Sequence, residues 1–110
     1  SPEPLEQKLL SLLMDAEYAI VVGNGRKFLS AVISGNTTRE NVERVLVLFN
    51  QELPHYKQVR KFYLAPESFS TENGLLTTNR KIKRAAIESL YRSAIDELYR
   101  DPDTQITDRA

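Results

Sequence analysis

The sequence predicts a small α/β (α+β) domain, built from a mixed three-stranded sheet with a β-hairpin and three flanking helices. Three observations lead to this prediction. Apolar residues recur at helical spacing in three segments, β-branched apolar runs occur in three others, and an Asn-Gly pair separates the first two of those runs. The resulting order is α-β-β-α-β-α, and a right-handed helical crossover makes the second and third strands parallel.

The composition predicts a soluble, intracellular, globular domain. A length of 110 residues fits one domain, and 15 acidic and 15 basic residues cancel, so no global field favours nucleic acid or anionic lipid. No apolar run approaches the ~20 residues that span a bilayer, and the start does not resemble a signal peptide. Cysteine is absent and there is one histidine, which excludes disulfides and argues against a structural zinc site.

The first element is predicted to be a helix that ends near Met14. Ser1 is the expected N-cap, and prolines occupy the first turn, where backbone NH groups lack helical partners. Leucines then recur at i, i+4, i+7 and i+8, which forms one apolar face. Because the sequence opens directly on a helix cap, we expect it to be a piece of a longer protein.

The next two elements are predicted to form a hairpin. Residues 18–22 are almost continuously apolar, as in a strand covered on both faces, and residues 28–33 form the returning strand. The Asn24-Gly25 pair between them favours a turn in which both central residues have positive φ. The glycines could instead indicate a dinucleotide-binding turn, but position 28 is Phe rather than Gly and a strand follows.

The second helix is predicted between a capping box and a proline. Thr37 with Glu40 forms the expected box, and Pro54 ends an apolar helical pattern that includes Leu53. His55 follows in a turn. It could act as a general base, but no nucleophile or carboxylate partner for it is evident from the sequence, so a loop histidine is the favoured interpretation.

The third strand is predicted over residues 59–65 and the last helix after residue 84. The helix has apolar residues at helical spacing, and an Asp-Pro pair ends it. The polar residues 101–110 are predicted to be a flexible tail. Three strands and three helices are too few to enclose a deep pocket, so a functional site is expected on a surface loop that a partner surface closes.

The most unusual segment is the loop over residues 69–84, which ends in four cations within five positions: Arg80, Lys81, Lys83 and Arg84. Cations at a helix start are disfavoured by the helix dipole, and the other two helices begin with acidic residues. A solvated basic loop is the common explanation of such a run. A functional alternative is that a lysine on this loop contacts phosphate or carboxylate oxygens. The spacing of a Walker loop and the aromatic residues of a nucleic-acid site are both missing.

Residues 69–84 read FSTENGLLTTNRKIKR and resemble the last core motif of adenylate-forming enzymes. The resemblance is to the version found in long-chain fatty acyl-CoA synthetases, approximately Glu-Asn-Gly-Leu-Leu-Thr-Pro-Thr-x-Lys-x-Lys-Arg. Residues 2–6, residues 19–33 and the Leu-Pro-x-Tyr stretch at residues 53–56 also resemble that family. The resemblance covers about residues 1–100 and concerns only the small C-terminal domain, the lid, of such enzymes.

The resemblance implies a role for Lys81, which matches the lysine that enters the active site during adenylation. There it would contact the substrate carboxylate and the oxygens around the α-phosphate. Lys83 and Arg84 match basic positions with a supporting role. The residues expected in the loop close to the substrate or nucleotide are Glu72, Asn73, Gly74 and Thr77. No residue of this segment is expected to bind a metal.

Two residues depart from the family pattern. Thr78 stands where proline is usual, and Arg80 stands where a glycine or apolar residue is common. Because proline pre-sets a turn, its replacement is expected to leave the loop looser.

The resemblance also implies an activity for the whole enzyme, which would convert fatty acid and ATP to acyl-adenylate and pyrophosphate. Coenzyme A would then displace AMP. ATP and Mg²⁺ would be bound mainly by an N-terminal adenylation domain of the same protein, its main partner, and this segment would be inactive alone. The enzyme would be cytoplasmic or membrane-peripheral, without a transmembrane segment or nucleic-acid partner. Alternatives are the lid of another carboxylate-adenylating enzyme and a non-catalytic interaction module that retains the fold.

Overall fold

The computed structural model describes residues 1–100, so the predicted tail at residues 101–110 lies outside the described residues. Helix α1 spans Glu3–Leu12, strands β1 and β2 span Ala16–Val22 and Leu29–Gly35, and helix α2 spans Arg39–Asn50. A 3-10 turn at His55–Lys57 leads to strand β3 at Val59–Leu64. After a long loop, helices α3 and α4 span Arg84–Leu90 and Arg92–Leu98.

The predicted sheet topology is confirmed. Strand β2 is central, paired antiparallel with β1 and parallel with β3. The order of elements matches the predicted α-β-β-α-β-α series, except that the last helix is divided into two. The helical connection through α2 is long enough to return the chain to the same edge of the sheet, which a parallel pair requires.

Apolar side chains cover both faces of the sheet, as the continuous apolar character of β1 predicts. Ala19 and Val21 face a core that includes Leu9 of α1 and Phe49 of α2. The alternate residues Ile20 and Val22 face a second core on the opposite side. That second core is formed with the following residues of the long loop and the last two helices: Phe69, Leu75, Leu76, Ile87, Tyr91 and Ile95. The fold therefore has three layers, and the long loop belongs to one of the outer layers.

The ends of α1 and α2 differ from the sequence prediction. Pro2, not Ser1, is the N-cap of α1, and no side chain caps it. Thr38, not Thr37, caps α2, and its Oγ1 accepts a hydrogen bond from the backbone N–H of Asn41. Because the cap is one residue later than predicted, Glu40 lies one position too early to complete the capping box.

The hairpin forms, but its turn differs from the predicted type. The N–H of Arg26 donates to the carbonyl of Gly23 at 2.8 Å, so Asn24 and Gly25 are the central residues. Gly25 has φ of 84°, whereas Asn24 has negative φ. This pattern fits a type II turn, in which only the second central residue requires positive φ. The remaining loop residues carry the chain to Leu29, where pairing resumes.

Aromatic packing fixes this hairpin loop against α4. The rings of Phe28 and Tyr99 stack with centroids 4.5 Å apart, and the hydroxyl of Tyr99 donates to the carbonyl of Phe28 at 2.9 Å. The guanidinium of Arg26 lies 4.6 Å from the centroid of the Tyr99 ring. Burial raises the pKa of Tyr99. Gly23 is favoured here, because its φ is 113° and a Cβ at this position would lie 2.6 Å from the carbonyl oxygen of Phe28.

The last helix is predicted as one element but is interrupted at Tyr91, whose φ and ψ are −103° and 21°. Hydrogen bonds of helical spacing still cross the interruption, from the N–H of Tyr91 to Ile87 and from the N–H of Ile95 to Tyr91. The interruption is therefore a bend between two short helices that keep one apolar face.

None of the helices within residues 1–100 has the length and apolar character that a bilayer-spanning helix needs.

Candidate functional site

The loop that connects β3 to α3 is fixed where it leaves the sheet. Phe69 is 2% exposed, and its N–H donates to the buried Oγ of Ser34 at 2.9 Å. Its ring stacks on that of Tyr18 of β1, with centroids 6.0 Å apart. Two strands therefore hold the start of the loop, one through a hydrogen bond and one through ring packing.

A compact turn follows, organised by the side chain of Asn73. Its Oδ1 accepts hydrogen bonds from the N–H groups of Ser70 and Leu75 at 3.0 and 3.2 Å, and its Nδ2 donates to the carbonyl of Ser68 at 2.9 Å. Gly74 has φ of 80°, which favours glycine although a Cβ would meet no atom within 4 Å. Glu72 is exposed, and its carboxylate accepts a hydrogen bond from Thr71. Asn73 and Gly74 thus shape the loop, whereas Glu72 has no hydrogen-bond or ion-pair partner within residues 1–100 beyond its neighbour Thr71.

The next residues form a miniature antiparallel hairpin. Leu75 and Leu76 are 2% and 3% exposed and attach this hairpin to the second core. Leu76 pairs with Ile82, and the N–H of Lys83 donates to the carbonyl of Leu75 at 2.9 Å. The sequence predicts a polar loop here, and the short hairpin within it is not predicted.

The tip of this hairpin determines the backbone position of Lys81. The N–H of Arg80 donates to the carbonyl of Thr77 at 2.8 Å, and the N–H of Thr77 donates to the carbonyl of Lys81 at 2.8 Å. Arg80 has φ of 63°, the left-handed conformation. The N–H of Lys81 donates to Oγ1 of Thr77 at 3.0 Å. A turn followed by one left-handed residue is a common three-residue hairpin loop. Thr77 therefore supports Lys81 directly.

The ammonium of Lys81 extends from this fixed backbone into solvent. Lys81 is exposed, and within residues 1–100 no side chain forms a hydrogen bond or ion pair with its ammonium. Lys83 is also exposed, and it is the N-cap residue of α3. The loop thus presents cationic side chains on an ordered backbone, which suits contact with an anionic group supplied from outside this fold.

Arg84 has a different environment, because its guanidinium is bound inside the fold. Its Nη1 and Nη2 donate to Oε2 and Oε1 of Glu6 at 2.7 and 2.8 Å. Glu6 is 5% exposed and also accepts a hydrogen bond from the N–H of Val21 at 2.7 Å. The hydrogen bonds to Glu6 raise the pKa of Arg84. This carboxylate joins α1, β1 and α3, and it offsets one of the cations at the start of α3.

The two departures from the family pattern occupy special turn positions. Thr78 is the first central residue of the turn closed by Thr77 and Arg80, a position that suits proline. Arg80 is left-handed, a conformation that favours glycine. Two side-chain hydrogen bonds hold the residues that follow Thr78. One comes from Thr77, and the other comes from the hydroxyl of Tyr18, which donates to the carbonyl of Arg80 at 3.3 Å.

Three contributors to this loop are not predicted from the sequence: Glu6, Tyr18 and Ser34. Each lies on an element far from the loop in the chain, and although Glu6 falls in the family-like stretch at residues 2–6, no pattern links any of the three to the loop. Glu6 is the one with a detectable signal, since its helical position falls next to the apolar stripe of α1 rather than on the solvent face. Tyr18 and Ser34 lie in an apolar strand pattern and look like ordinary strand residues.

The other candidate features lie away from the loop. His55 is exposed, and its Nδ1 lies 2.7 Å from a guanidinium nitrogen of Arg60. A groove of about 650 Å³ runs between the start of α1, the hairpin loop, the 3-10 turn and the last two helices, and of residues 69–84 Arg84 alone lines it. Among residues 1–100, no cluster of three or more His, Cys, Asp or Glu side chains is arranged to bind a metal.

The comparisons with known sequences agree with the family resemblance of residues 69–84. A family model described as "AMP-binding enzyme C-terminal domain" matches residues 1–103. Long-chain-fatty-acid–CoA ligase 1 of Cavia porcellus is 51% identical over 47 residues, which cover 43% of this chain and 7% of that protein. A chloroplastic long-chain-fatty-acid–[acyl-carrier-protein] ligase of Arabidopsis thaliana is 30% identical over 112 residues, which cover 88% of this chain and 15% of that protein. The chain therefore spans only a small part of these relatives.

Comparison with solved structures gives the same fold. The adenylation and carrier-protein didomain of a carboxylic acid reductase from Segniliparus rugosus, solved with AMP, has a TM-score of 0.78 and 21% identity over 90% of this chain and 16% of that chain. The adenylation domain of a carboxylate reductase from Mycobacterium chelonae has a TM-score of 0.73 and 24% identity over 88% of this chain and 17% of that chain.

Proposed function

Because the chain belongs to the C-terminal domain family of AMP-binding, adenylate-forming enzymes, we propose that residues 1–100 are the lid domain of a long-chain fatty acid–CoA ligase. In this proposal the lid supplies Lys81 for ATP-dependent adenylation of the fatty acid. The long-chain fatty acid–CoA ligases among the relatives support this substrate class.

The single observation that carries the proposal is the placement of Lys81. Its backbone is hydrogen-bonded to Thr77 at the tip of an ordered hairpin, while its ammonium is exposed and makes no hydrogen bond or ion pair within residues 1–100. A cation held in this way is pre-positioned yet free to bind a ligand from outside the lid. Pre-positioned charge is effective in catalysis because it needs no reorganisation when the reaction occurs.

The reaction brings two anions together. A carboxylate oxygen of the fatty acid attacks the α-phosphorus of ATP, the bond to the bridging oxygen breaks, and pyrophosphate leaves. The ammonium of Lys81 would offset the repulsion between the carboxylate and the phosphate and stabilise the charge on the α-phosphate oxygens in the transition state. In the second step the thiol of coenzyme A gives up its proton to solvent, its sulfur attacks the acyl carbonyl carbon, and AMP leaves with the electron pair of the broken carbon–oxygen bond.

The other components would come from the rest of the enzyme. ATP and Mg²⁺ would be bound mainly by an N-terminal adenylation domain. Rotation of the lid between the two steps would withdraw Lys81, a movement of the kind that completes an active site on closure. The enzyme would act in the cytoplasm or at a membrane surface.

The test is a Lys81→Ala substitution in the parent enzyme. Adenylation, measured as fatty-acid-dependent exchange of pyrophosphate into ATP, should slow by about 10²–10³-fold, as when one pre-positioned electrostatic donor is removed. Thioester formation from supplied acyl-adenylate and coenzyme A should keep most of its rate. Lys27→Ala, which removes an exposed lysine from the other hairpin loop, serves as the control. Equal losses in both half-reactions would mean that Lys81 acts structurally, and the proposal would fail.

A second candidate function differs in the acceptor thiol. The relative that aligns over 88% of this chain is a ligase for an acyl carrier protein. The parent enzyme would then transfer the acyl group to a phosphopantetheine thiol on a protein, and Lys81 would have the same role in adenylation. Supplying the adenylated enzyme with coenzyme A and with acyl carrier protein in parallel separates these candidates. A non-catalytic module is a third alternative, and a parent protein without an adenylation domain would favour it.

A further inference from the structure

We propose that Tyr18 is a positioning residue for Lys81, because it holds the peptide group that connects Arg80 to Lys81. The inference rests on the proposed function, since it concerns the same lysine. Tyr18 lies on strand β1, 62 residues before Arg80 in the chain. The cationic motif at residues 80–84 gives no sequence signal that Tyr18 contacts it.

The argument begins with the peptide group between Arg80 and Lys81. Its carbonyl oxygen accepts a hydrogen bond from the hydroxyl of Tyr18 at 3.3 Å, and its N–H donates to Oγ1 of Thr77 at 3.0 Å. A peptide group is planar, so contacts at its two polar ends restrict the orientation of the whole plane. The direction of the Cα–Cβ bond of Lys81 depends on that plane. Tyr18 and Thr77 together therefore aim the lysine side chain.

Tyr18 is itself held by a rigid part of the fold. Its ring stacks on Phe69 with an interplanar angle of 24°, and Phe69 is 2% exposed. Its backbone pairs with Ser34 of the central strand. The carbonyl of Arg80 is therefore tied to the sheet through one ordered side chain, whereas Thr77 ties the N–H to the loop alone.

The backbone conformation at Arg80 is a further reason to expect such a tie. Arg80 adopts φ of 63°, and in residues 1–100 no other residue except glycine has positive φ. A residue with a side chain persists in this conformation only where the surrounding structure enforces it. The Tyr18 hydroxyl contacts the carbonyl of that residue, so its removal should let the peptide between Arg80 and Lys81 rotate and the lysine lose its alignment.

The test is a Tyr18→Phe substitution in the parent enzyme, which keeps the stacked ring and removes the hydroxyl. Adenylation should slow about two- to threefold in kcat, the low end of the effect of losing one hydrogen bond, because 3.3 Å is long for a hydroxyl donor and the contact is exposed. The KM for ATP and fatty acid should be nearly unchanged. Thioester formation from supplied acyl-adenylate should be unaffected. The control is Tyr63→Phe, since Tyr63 packs against the same core and its ring contacts Tyr91 at a tilt of 53° rather than the loop.

A double-mutant cycle separates positioning from a general structural effect. If Tyr18 acts through Lys81, Tyr18→Phe should cause no further loss of adenylation in the Lys81→Ala enzyme. Equal losses in the two half-reactions, additive losses in the double mutant, or a Tyr18→Phe enzyme that matches Tyr63→Phe would each overturn the inference. The proposed function fails separately, if Lys81→Ala leaves adenylation intact.

Discussion

Arg80 occupies a left-handed position at the tip of the cationic hairpin, immediately before Lys81. A left-handed residue with a side chain costs about 1–2 kcal/mol, because its Cβ approaches the following carbonyl oxygen. A glycine avoids this contact but loses more backbone entropy on folding, by roughly 0.5–1 kcal/mol. The two effects partly cancel, and the strain relief is the larger.

We therefore predict that Arg80→Gly raises the free energy of unfolding by up to about 1 kcal/mol, whereas Arg80→Val lowers it, because a β-branched side chain fits this conformation poorly. Urea unfolding of residues 1–110 followed by circular dichroism measures both changes. The control is Gln7→Gly, at an exposed position inside α1, which should destabilise by about 1 kcal/mol. Equal destabilisation by Arg80→Gly and Gln7→Gly would show that the left-handed conformation carries no strain.

At the residue scale, the sequence identifies Lys81 as the candidate lysine but does not identify the residues that hold its backbone in place. The motif resemblance singles out Lys81, and glycine preferences indicate the turn at Gly74. The contacts from Tyr18 and Ser34 join residues more than thirty positions apart, which no local pattern encodes. Arg84 shows the same limit: the sequence groups it with the loop cations, and only the fold reveals its carboxylate partner on α1.

The Glu6–Arg84 pair connects three elements at one buried carboxylate. Removing one member of a buried pair is costly because the other charge remains without compensation, typically by 3–5 kcal/mol. The Arg84 side chain is 30% exposed and the Glu6 side chain 7% exposed, so solvent reduces that cost. The N–H of Val21 would remain as a partner of Glu6.

We predict that Arg84→Ala lowers the free energy of unfolding by about 2–3 kcal/mol, while the double substitution of Glu6→Gln with Arg84→Met recovers part of it by removing both charges. Chemical denaturation of the three proteins gives the comparison. The matched control is Glu97→Ala, which breaks the exposed Arg100–Glu97 pair and should cost less than about 0.5 kcal/mol. If Arg84→Ala and Glu97→Ala had the same effect, the buried carboxylate would not connect the elements energetically.

At the element scale, hydrophobic periodicity predicts the existence and order of nearly every helix and strand. Periodicity does not predict the bend between α3 and α4, because the apolar pattern is the same on both sides of it. The apolar face of α3 and α4 continues through Tyr91, and neither proline nor glycine marks the bend. The cap of α2 is predicted one residue too early because Thr37 and Glu40 have the spacing of a capping box, whereas in the structure Thr38 accepts the hydrogen bond from the N–H of Asn41.

The two sides of the sheet have separate cores, one with α1 and α2 and the other with the cationic loop, α3 and α4. Because the central strand contributes to both, we predict that residues 1–110 unfold in one cooperative transition when expressed alone. Denaturation curves from tyrosine fluorescence and far-ultraviolet circular dichroism should coincide.

The same fragment should produce no acyl-CoA from fatty acid, ATP and coenzyme A. Catalysis requires reacting groups to be held together, and the lid presents its lysine without an enclosed site beside it. A quantitative assay for thioester formation, with the parent enzyme as the positive control, tests this expectation. Detectable turnover by the fragment would contradict the assignment of residues 1–100 as a lid.

The attachments of the cationic loop limit how it can move. Ser34 holds its entrance, Tyr18 holds its tip, and Glu6 holds its exit through Arg84. A segment fastened to the sheet and α1 at three points has little freedom to swing by itself. Any large displacement of the Lys81 backbone relative to another domain must then be a displacement of the whole sheet and its helices. The position of the Lys81 backbone in the other domain would then be set by the rotation angle of the whole domain. Only the side-chain torsions of Lys81 could adjust the position of its ammonium further.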